Sequence, residues 1–292
     1  MRLSPKDLME LEALAMAAAT LAGECIQAKA SGDIEVKDKN AGSSVASQLV
    51  TNVDLAAQAV ILEVLSESME RFHFGLLTEE QADNSSRHQH DHFWCIDPMD
   101  GTLAFTKRSP GYSVSIALVN RHGTAVIGVV HDPVTNTTYH AIHGQGARRN
   151  HKVWDVRPTD GPLRLMVDHS FIGKASDPAF QKRLTSLALE HDCQGVEVVD
   201  HAGAVLNACW VAERAPALYF KVPKPSPGGG SLWDFAATSC LFAELRLPCS
   251  DFHGKPLHLN PHGNTFMNHR GVLYASHPTL AAAVEALVTH GH

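Results

Sequence analysis

Two aspartates stand three residues apart in Asp97-Pro98-Met99-Asp100-Gly101-Thr102, directly after the apolar run Phe93-Trp94-Cys95-Ile96. Both carboxylates sit at the mouth of a strand and converge on one point. Pro98 stiffens the turn and Gly101 lets backbone approach a ligand closely. Carboxylates gathered this way repel one another unless cations bind between them. A donor set made of oxygen alone suits Mg²⁺ rather than zinc. A plain Asp-Pro turn has the same sequence. Glu79-Glu80 ends another strand after Thr78, Asp234 opens an apolar helix after Ser231-Leu232-Trp233, and Asp54 follows Thr51 at a third element end. Each has an ordinary reading: solvated glutamates for the pair, and capping-box geometry for Thr51-x-x-Asp54 and Ser231-x-x-Asp234. Their combination, each at the end of an element, favours metal-assisted chemistry. No Ser-His-Asp arrangement argues for a covalent intermediate.

The elements that must position these groups follow from periodicity. Ser4-Pro5 starts a helix reaching Lys29, with Leu8, Leu11, Ala15, Ala18 and Ala22 as one apolar stripe. A polar loop spans Ser31 to Ser47. A second helix runs from near Val53 to about Met69. Strands are expected at Phe72–Leu77, Phe93–Ile96, Tyr112–Val119, Val126–Val130 and Thr138–Ile142, where β-branched and aromatic residues concentrate. From Leu163 the pattern alternates. Strands at 163–167, 196–199, 217–220 and 272–275 are interleaved with helices at 178–191, 204–213, 232–245 and 278–289. The result is an α+β unit over residues 1–155 joined to an α/β unit over 156–292, sharing a cleft.

The chain has 292 residues, 24 Lys plus Arg against 31 Asp plus Glu, and a formal charge of −7. With 44% apolar and 19% charged residues it reads as an ordinary globular chain, neither disordered nor collagen-like. The negative balance argues against a nucleic-acid polymer or an anionic membrane as partner. It leaves an anionic substrate open, since a bound cation reverses the local sign. Six cysteines without a Cys-x-x-Cys pair read as reduced thiols in a cytoplasmic setting. No stretch has the roughly 18 apolar residues of a membrane span. Asp7, Glu10 and Glu12 interrupt any signal-peptide core, and Glu24 spoils a lipoprotein site at Cys25.

The four acidic stretches, in this order, resemble the inositol monophosphatase superfamily of Mg²⁺-dependent phosphatases. Trp94-Cys95-Ile96-Asp97-Pro98-Met99-Asp100-Gly101-Thr102 with Phe105 is similar to the W-x-I-D-P-x-D-G-T-x-x-F motif, and Trp233-Asp234-Phe235-Ala236-Ala237 to W-D-x-A-A. Glu79-Glu80 and Val50-Thr51-x-x-Asp54 match the upstream motifs. The resemblance implies a layered α-β-α-β-α sandwich of the inositol monophosphatase / fructose-1,6-bisphosphatase type. It implies two or three Mg²⁺ ions: one on Glu79, Asp97 and the Met99 carbonyl, one on Asp97, Asp100 and Asp234, and a weaker third near Glu79. It further implies a phosphate resting on the amides around Gly101 and Thr102. Asp100, Ala204 and Asp234 would also contact substrate. Thr102 would orient an attacking water, Asp54 would accept the Thr102 hydroxyl proton, and Glu79 would assist. Sensitivity to lithium and a homodimer are family habits.

The implied substrate is a small phosphate ester, and two subfamilies compete. Inositol monophosphatases usually carry a glutamate seven residues before the W-D aspartate, where this chain has Pro227, and Ala202-Gly203-Ala204 departs from their G-S/T-A. Against the 3′(2′),5′-bisphosphate nucleotidases, Leu103 replaces a lysine that often follows D-G-T. Asp251-x-x-Gly254-Lys255-Pro256-Leu257 and Asn268-His269-Arg270-Gly271 look more like that nucleotidase group, which is the preferred reading. Inositol or other sugar phosphates are the alternative, and an inactive metal-binding regulator the remote one. His88, His90 and His92 alternate around Asp91, either as a transition-metal site or as a solvated loop. Lys37 and Lys39 read as a mobile lid or as plain surface lysines. The run Gly228 to Gly230 reads as a backbone approach for substrate or a flexible turn.

Overall fold

Ser4 opens the first helix, α1 (Pro5–Lys29), by a reciprocal cap: its N–H and hydroxyl donate to Asp7 Oδ2 at 2.8 and 2.7 Å, and the Asp7 N–H donates back. The computed structural model describes residues 3–32, 36–38, 49–157 and 160–289, with backbone alone at 36–38, 49–50 and 289. Leu11, Ala15, Ala18, Ala22 and Ile26 bury the stripe that the periodicity marks out. The region expected to be all loop contains a strand, β1 (Val36–Asp38), paired antiparallel with β2 (Leu49–Thr51). Lys39 and the side chain of Lys37, candidates for a lid, lie outside the described residues.

A second helix, α2 (Asn52–Phe72), packs along α1. It ends where His73 takes a left-handed backbone, φ 53°, and donates to Met69 O. The strand expected from Phe72 therefore begins later, as β3 (Gly75–Thr78). It leads a seven-stranded sheet in simple sequence order: β4 (His92–Asp100), β5 (Ser113–Asn120), β6 (Ala125–Asp132), β7 (Thr137–Ile142), β8 (Ala147–Arg149) and β9 (Lys152–Val153). The first pair is parallel and the rest antiparallel. The five-residue helix α3 (Thr102–Thr106) follows β4 directly.

The second half builds a five-stranded sheet ordered β11-β10-β12-β14-β13. Its strands are β10 (Leu163–Met166), β11 (Val196–Val199), β12 (Ala217–Lys221), β13 (Cys249–Ser250) and β14 (Val272–Ala275). The helices between them are α4 (Ile172–Ala175), α5 (Pro178–Glu190), α6 (Ala204–Glu213) and α7 (Leu232–Leu245), with α8 (Pro278–Thr289) last. Helix α7 lies against β4 to β7 on one side and reaches β13 on the other. Gly128 of β6 permits that approach, since a Cβ there would stand 2.3 Å from the Ala237 carbonyl. Helices α1 and α2 cover the outer face of the large sheet, and α5 and α8 the outer face of the small one. The layers thus run α-β-α-β-α, with a core shared between both sheets around α6 and α7. Strands β8, β9 and β13 escape the sequence reading because three residues or fewer carry too little alternation to register.

Candidate active site

A regular strand turns side chains three apart to opposite faces. Between Asp97 and Asp100 the register against β5 shifts, with Asp97 opposite Ser115 and Asp100 opposite Ser113. Three steps on β4 thus face two on its neighbour, and the bulge returns both carboxylates to one side. Pro98 lies within the irregularity, where a missing backbone donor costs no ladder bond. Asp97 Oδ1 accepts the Met99 N–H at 3.0 Å, which tightens the turn.

Asp100 reaches across to the start of α6. Its Oδ1 accepts the Ala204 N–H at 3.1 Å and its Oδ2 the Val205 N–H at 2.8 Å, so the helix end orients the carboxylate. This commits the Ala204 amide to Asp100, so Ala204 meets the site through that carboxylate. Gly203 is required for the contact, because a Cβ there would sit 2.2 Å from Asp100 Oδ2. Asp234 opens α7, and its Oδ2 accepts the Ser231 N–H at 2.9 Å. The capping reading and the cluster reading of Asp234 therefore both hold. One carboxylate oxygen from each of Asp97, Asp100 and Asp234 falls within 4.8 Å of the others. Glu79, just past β3, donates its N–H to Ile96 O at 3.2 Å and places its side chain against Asp97.

Thr102 completes the arrangement. Its hydroxyl lies 3.2 Å from Asp54 Oδ1 and 3.3 Å from Met99 O. The other Asp54 oxygen accepts both the N–H and the hydroxyl of Thr51, at 2.7 and 2.5 Å. Asp54 is at once a helix cap and a bracket for Thr102, and it is fully buried.

Two residues that the sequence did not single out belong here. Gln58, buried on α2, accepts from the Thr78 hydroxyl at 2.6 Å and from the Glu80 N–H at 3.2 Å, which fixes the start of the glutamate pair. A glutamine inside a helix carries no signal of such a role. Lys221, the last residue of β12, pairs with Asp168 at 2.8 Å, and Asp168 in turn accepts the Tyr219 hydroxyl at 2.9 Å. The Lys221 charge acts on both Asp234 and Asp100. Counting back from Asp234 lands on Pro227, in the loop after β12, and so passes this cation by.

Burial raises the Asp97 carboxyl well above the usual carboxylate range, and the neighbouring Glu79, Asp100 and Asp234 add to it. Asp100 is raised by burial and by Asp234, against the opposing Val205 N–H and Lys221. Asp234 is pushed up to about 6 by burial, with Lys221 pulling the other way. Charge is costly here without a cation, and an all-oxygen donor set of this density fits a hard divalent ion. Among the described residues this is the one group of three or more His, Cys, Asp or Glu side chains with such convergence. His88 and His92 point elsewhere: His88 stacks on His262 and His92 packs edge-on against Phe74.

Five layers enclose the buried carboxylate cluster, and it is likeness to known proteins that makes the chain a phosphatase, a hydrolase of phosphate esters. The sequence model of the Inositol monophosphatase family matches residues 7–290, and the chain belongs to that family. It is 32% identical over 257 residues to the 3′(2′),5′-bisphosphate nucleotidase CysQ of Escherichia coli K12, spanning 84% of this chain and 95% of the relative. It is 31% identical over 276 residues to the Nus factor SuhB of Salmonella typhimurium LT2, spanning 94% and 93%. Among solved structures, an IMPase/NADP phosphatase complexed with Mg²⁺ and phosphate superposes with a TM-score of 0.74 at 18% identity, covering 97% of both chains. A Thermotoga maritima IMPase does so with 0.70 at 22%, covering 94% of this chain and 96% of its own. These likenesses establish the fold.

Proposed function

We propose that the chain is a Mg²⁺-dependent phosphomonoesterase whose substrate is a 3′(2′),5′-bisphosphate nucleotide, with 3′-phosphoadenosine 5′-phosphate converted to AMP. The observation that carries the reaction class is the convergence of Asp97, Asp100 and Asp234 within 4.8 Å. Glu79, Asp97 and the Met99 carbonyl would hold one ion and Asp97, Asp100 and Asp234 a second, with a weaker third near Glu79. Bound there, Mg²⁺ supplies neutralisation of the phosphoryl oxygens and a more acidic water. Thr102 donates its hydroxyl hydrogen bond to Asp54, so its oxygen would be left to accept from, and orient, the attacking water. The 3.2 Å contact between the two side chains supports that role, as does the pair of Thr51 donors that locks Asp54. The Gly101 and Thr102 amides, opening α3, cradle the phosphate. Gly101 has φ 89°, and a Cβ there would meet the Gly111 carbonyl at 2.5 Å.

Lys221 supports the nucleotide reading. Leu103 removes one expected cation, and Lys221, paired with Asp168, is a cation whose charge also acts on Asp234 and Asp100. The similarity to CysQ across most of both chains points the same way. Phosphate release from 3′-phosphoadenosine 5′-phosphate and from inositol 1-phosphate, with and without Mg²⁺, tests the proposal. The expected result is Mg²⁺-dependent turnover with the higher kcat/KM on the nucleotide. A higher kcat/KM on the inositol ester would overturn the substrate assignment. No turnover of either would leave a metal-binding regulator.

A further inference from the structure

A cleft of about 620 Å³ lies apart from the carboxylate cluster. Its lining includes His88, His122, His258, His262, Arg121 and Arg270, and no carboxylate. It opens beside the β5–β6 turn, at the His92 and Asn120 end of β4 and β5. Asp97 and Asp100 are at the other end of β4, roughly 20 Å away at the rise of an extended strand.

The cleft is a built feature. Arg87, completely buried, donates from Nη1 to Asn260 Oδ1 and to Pro261 O, both at 2.8 Å, and from Nε to Asp83 at 2.8 Å. Asn260 donates to Arg87 O at 3.3 Å and to Arg121 O at 3.1 Å. Gly123 packs on the same stretch with φ 78°, and a Cβ there would stand 2.9 Å from Leu259 N and Asn260 N. Three segments distant in sequence are thus clamped to present histidines and arginines to one space. The Arg87 Nη2 has no hydrogen-bond partner among the described residues.

Its charge balance is unusual for a protein with formal charge −7. The guanidiniums of Arg87, Arg121 and Arg270 each meet one carboxylate, from Asp83, Asp91 and Asp251, and all three carboxylates stand outside the lining. Each Arg keeps further N–H donors after one such pairing. The lining therefore presents Arg121, Arg270 and four imidazoles with no carboxylate of its own. Burial, then Arg87 and His262, hold His88 below the ordinary histidine range. A dianion placed among these groups would offset the repulsion that Arg87 and His262 exert on His88. The volume matches ordinary small-ligand clefts, and guanidinium forks match phosphate oxygens.

We propose that this cleft is a second binding site, for a small phosphate-bearing anion, separate from the carboxylate cluster. The test is calorimetric titration of the whole protein in EDTA with pyrophosphate, inorganic phosphate and AMP, at about pH 6 and about pH 8. Saturable binding by at least one anion is expected. The Arg121→Gln/His262→Gln variant assigns such binding to the cleft rather than to the carboxylate cluster. Tighter AMP than pyrophosphate would identify a nucleotide ligand, and the reverse a free phosphate. Arg121→Gln with His262→Gln should weaken binding about tenfold or more while Mg²⁺-dependent phosphatase activity is unchanged, which also shows the variant is folded. His258→Ala provides a second, independent reduction. Absence of saturable binding at both pH values, or equal affinity in the wild type and both variants, would overturn the proposal.

Discussion

Asp97 carries more of the proposed chemistry than any other side chain, because it touches Glu79 and shares the cluster with Asp100 and Asp234. Asp97→Asn removes one charge from both proposed ions. Phosphatase activity should fall beyond about 100-fold, since a direct ligand must cost more than a residue acting through one. Steady-state turnover across a Mg²⁺ series measures it, and near-normal activity would remove Asp97 from the ligand set. Thr102 calls for a different signature. Its hydroxyl touches Asp54 and Met99 O, so Thr102→Ala should lower kcat by about 10² to 10⁴-fold. The Mg²⁺ concentration for half-maximal activity should shift little. Unchanged kcat would refute its placing of the water.

At the scale of elements, the site is made by ends meeting. The bulge in β4 faces its two aspartates together, and the first turn of α6 receives Asp100. Gly203 is the tolerance on which that junction depends. A methyl there would collide with the whole Asp100 carboxylate, with Oδ2 at 2.2 Å and Oδ1 at 2.6 Å. Gly203→Ala should therefore displace Asp100 and weaken Mg²⁺ affinity roughly 10–100-fold with little change in secondary structure. Calorimetric Mg²⁺ titration beside circular dichroism checks it; wild-type affinity would show that α6 does not position the ligand. Element types and most bounds could be read from the sequence: α6, α7, β14 and α8 fall where their apolar periodicity places them. The bulge could not, since it is a relation between two strands and leaves no local pattern.

For the molecule as a whole, the buried carboxylates set a pH dependence. Asp234 rises from 3.8 to about 6, and Asp97 and Asp100 also rise. A raised carboxyl binds its proton more tightly in the folded than in the unfolded chain. Between the two values the native state holds more protons, so metal-free stability falls as pH rises through that window. Mg²⁺ binds the ionised form and should reverse the loss. The melting temperature of the metal-free protein should thus be lower at about pH 7.5 than at about pH 5, as far as these groups determine it. Added Mg²⁺ should raise it more at the higher pH, because ligand binding to the native state alone is stabilising. Differential scanning fluorimetry at both pH values reads the two shifts. A Mg²⁺ increment no larger at pH 7.5 would contradict metal binding by these carboxylates.

In the sequence, periodicity marked the elements and the resemblance of short acidic motifs pointed to the layered phosphatases, because both are local properties. Which groups stand beside one another was decided only by the folded chain. The Lys221 charge acts on Asp234, and its ammonium lies 5.5 Å from the Phe235 ring, although nine residues of Pro- and Gly-rich chain separate Lys221 from Ser231. Gln58 meets the glutamate pair because α2 lies along β4 next to β3. The histidine cleft, too, exists only through the clamp that Arg87 and Asn260 make between residues 173 apart. Burial and electrostatics depend on distances through space, and those distances are a product of packing rather than of spacing along the chain.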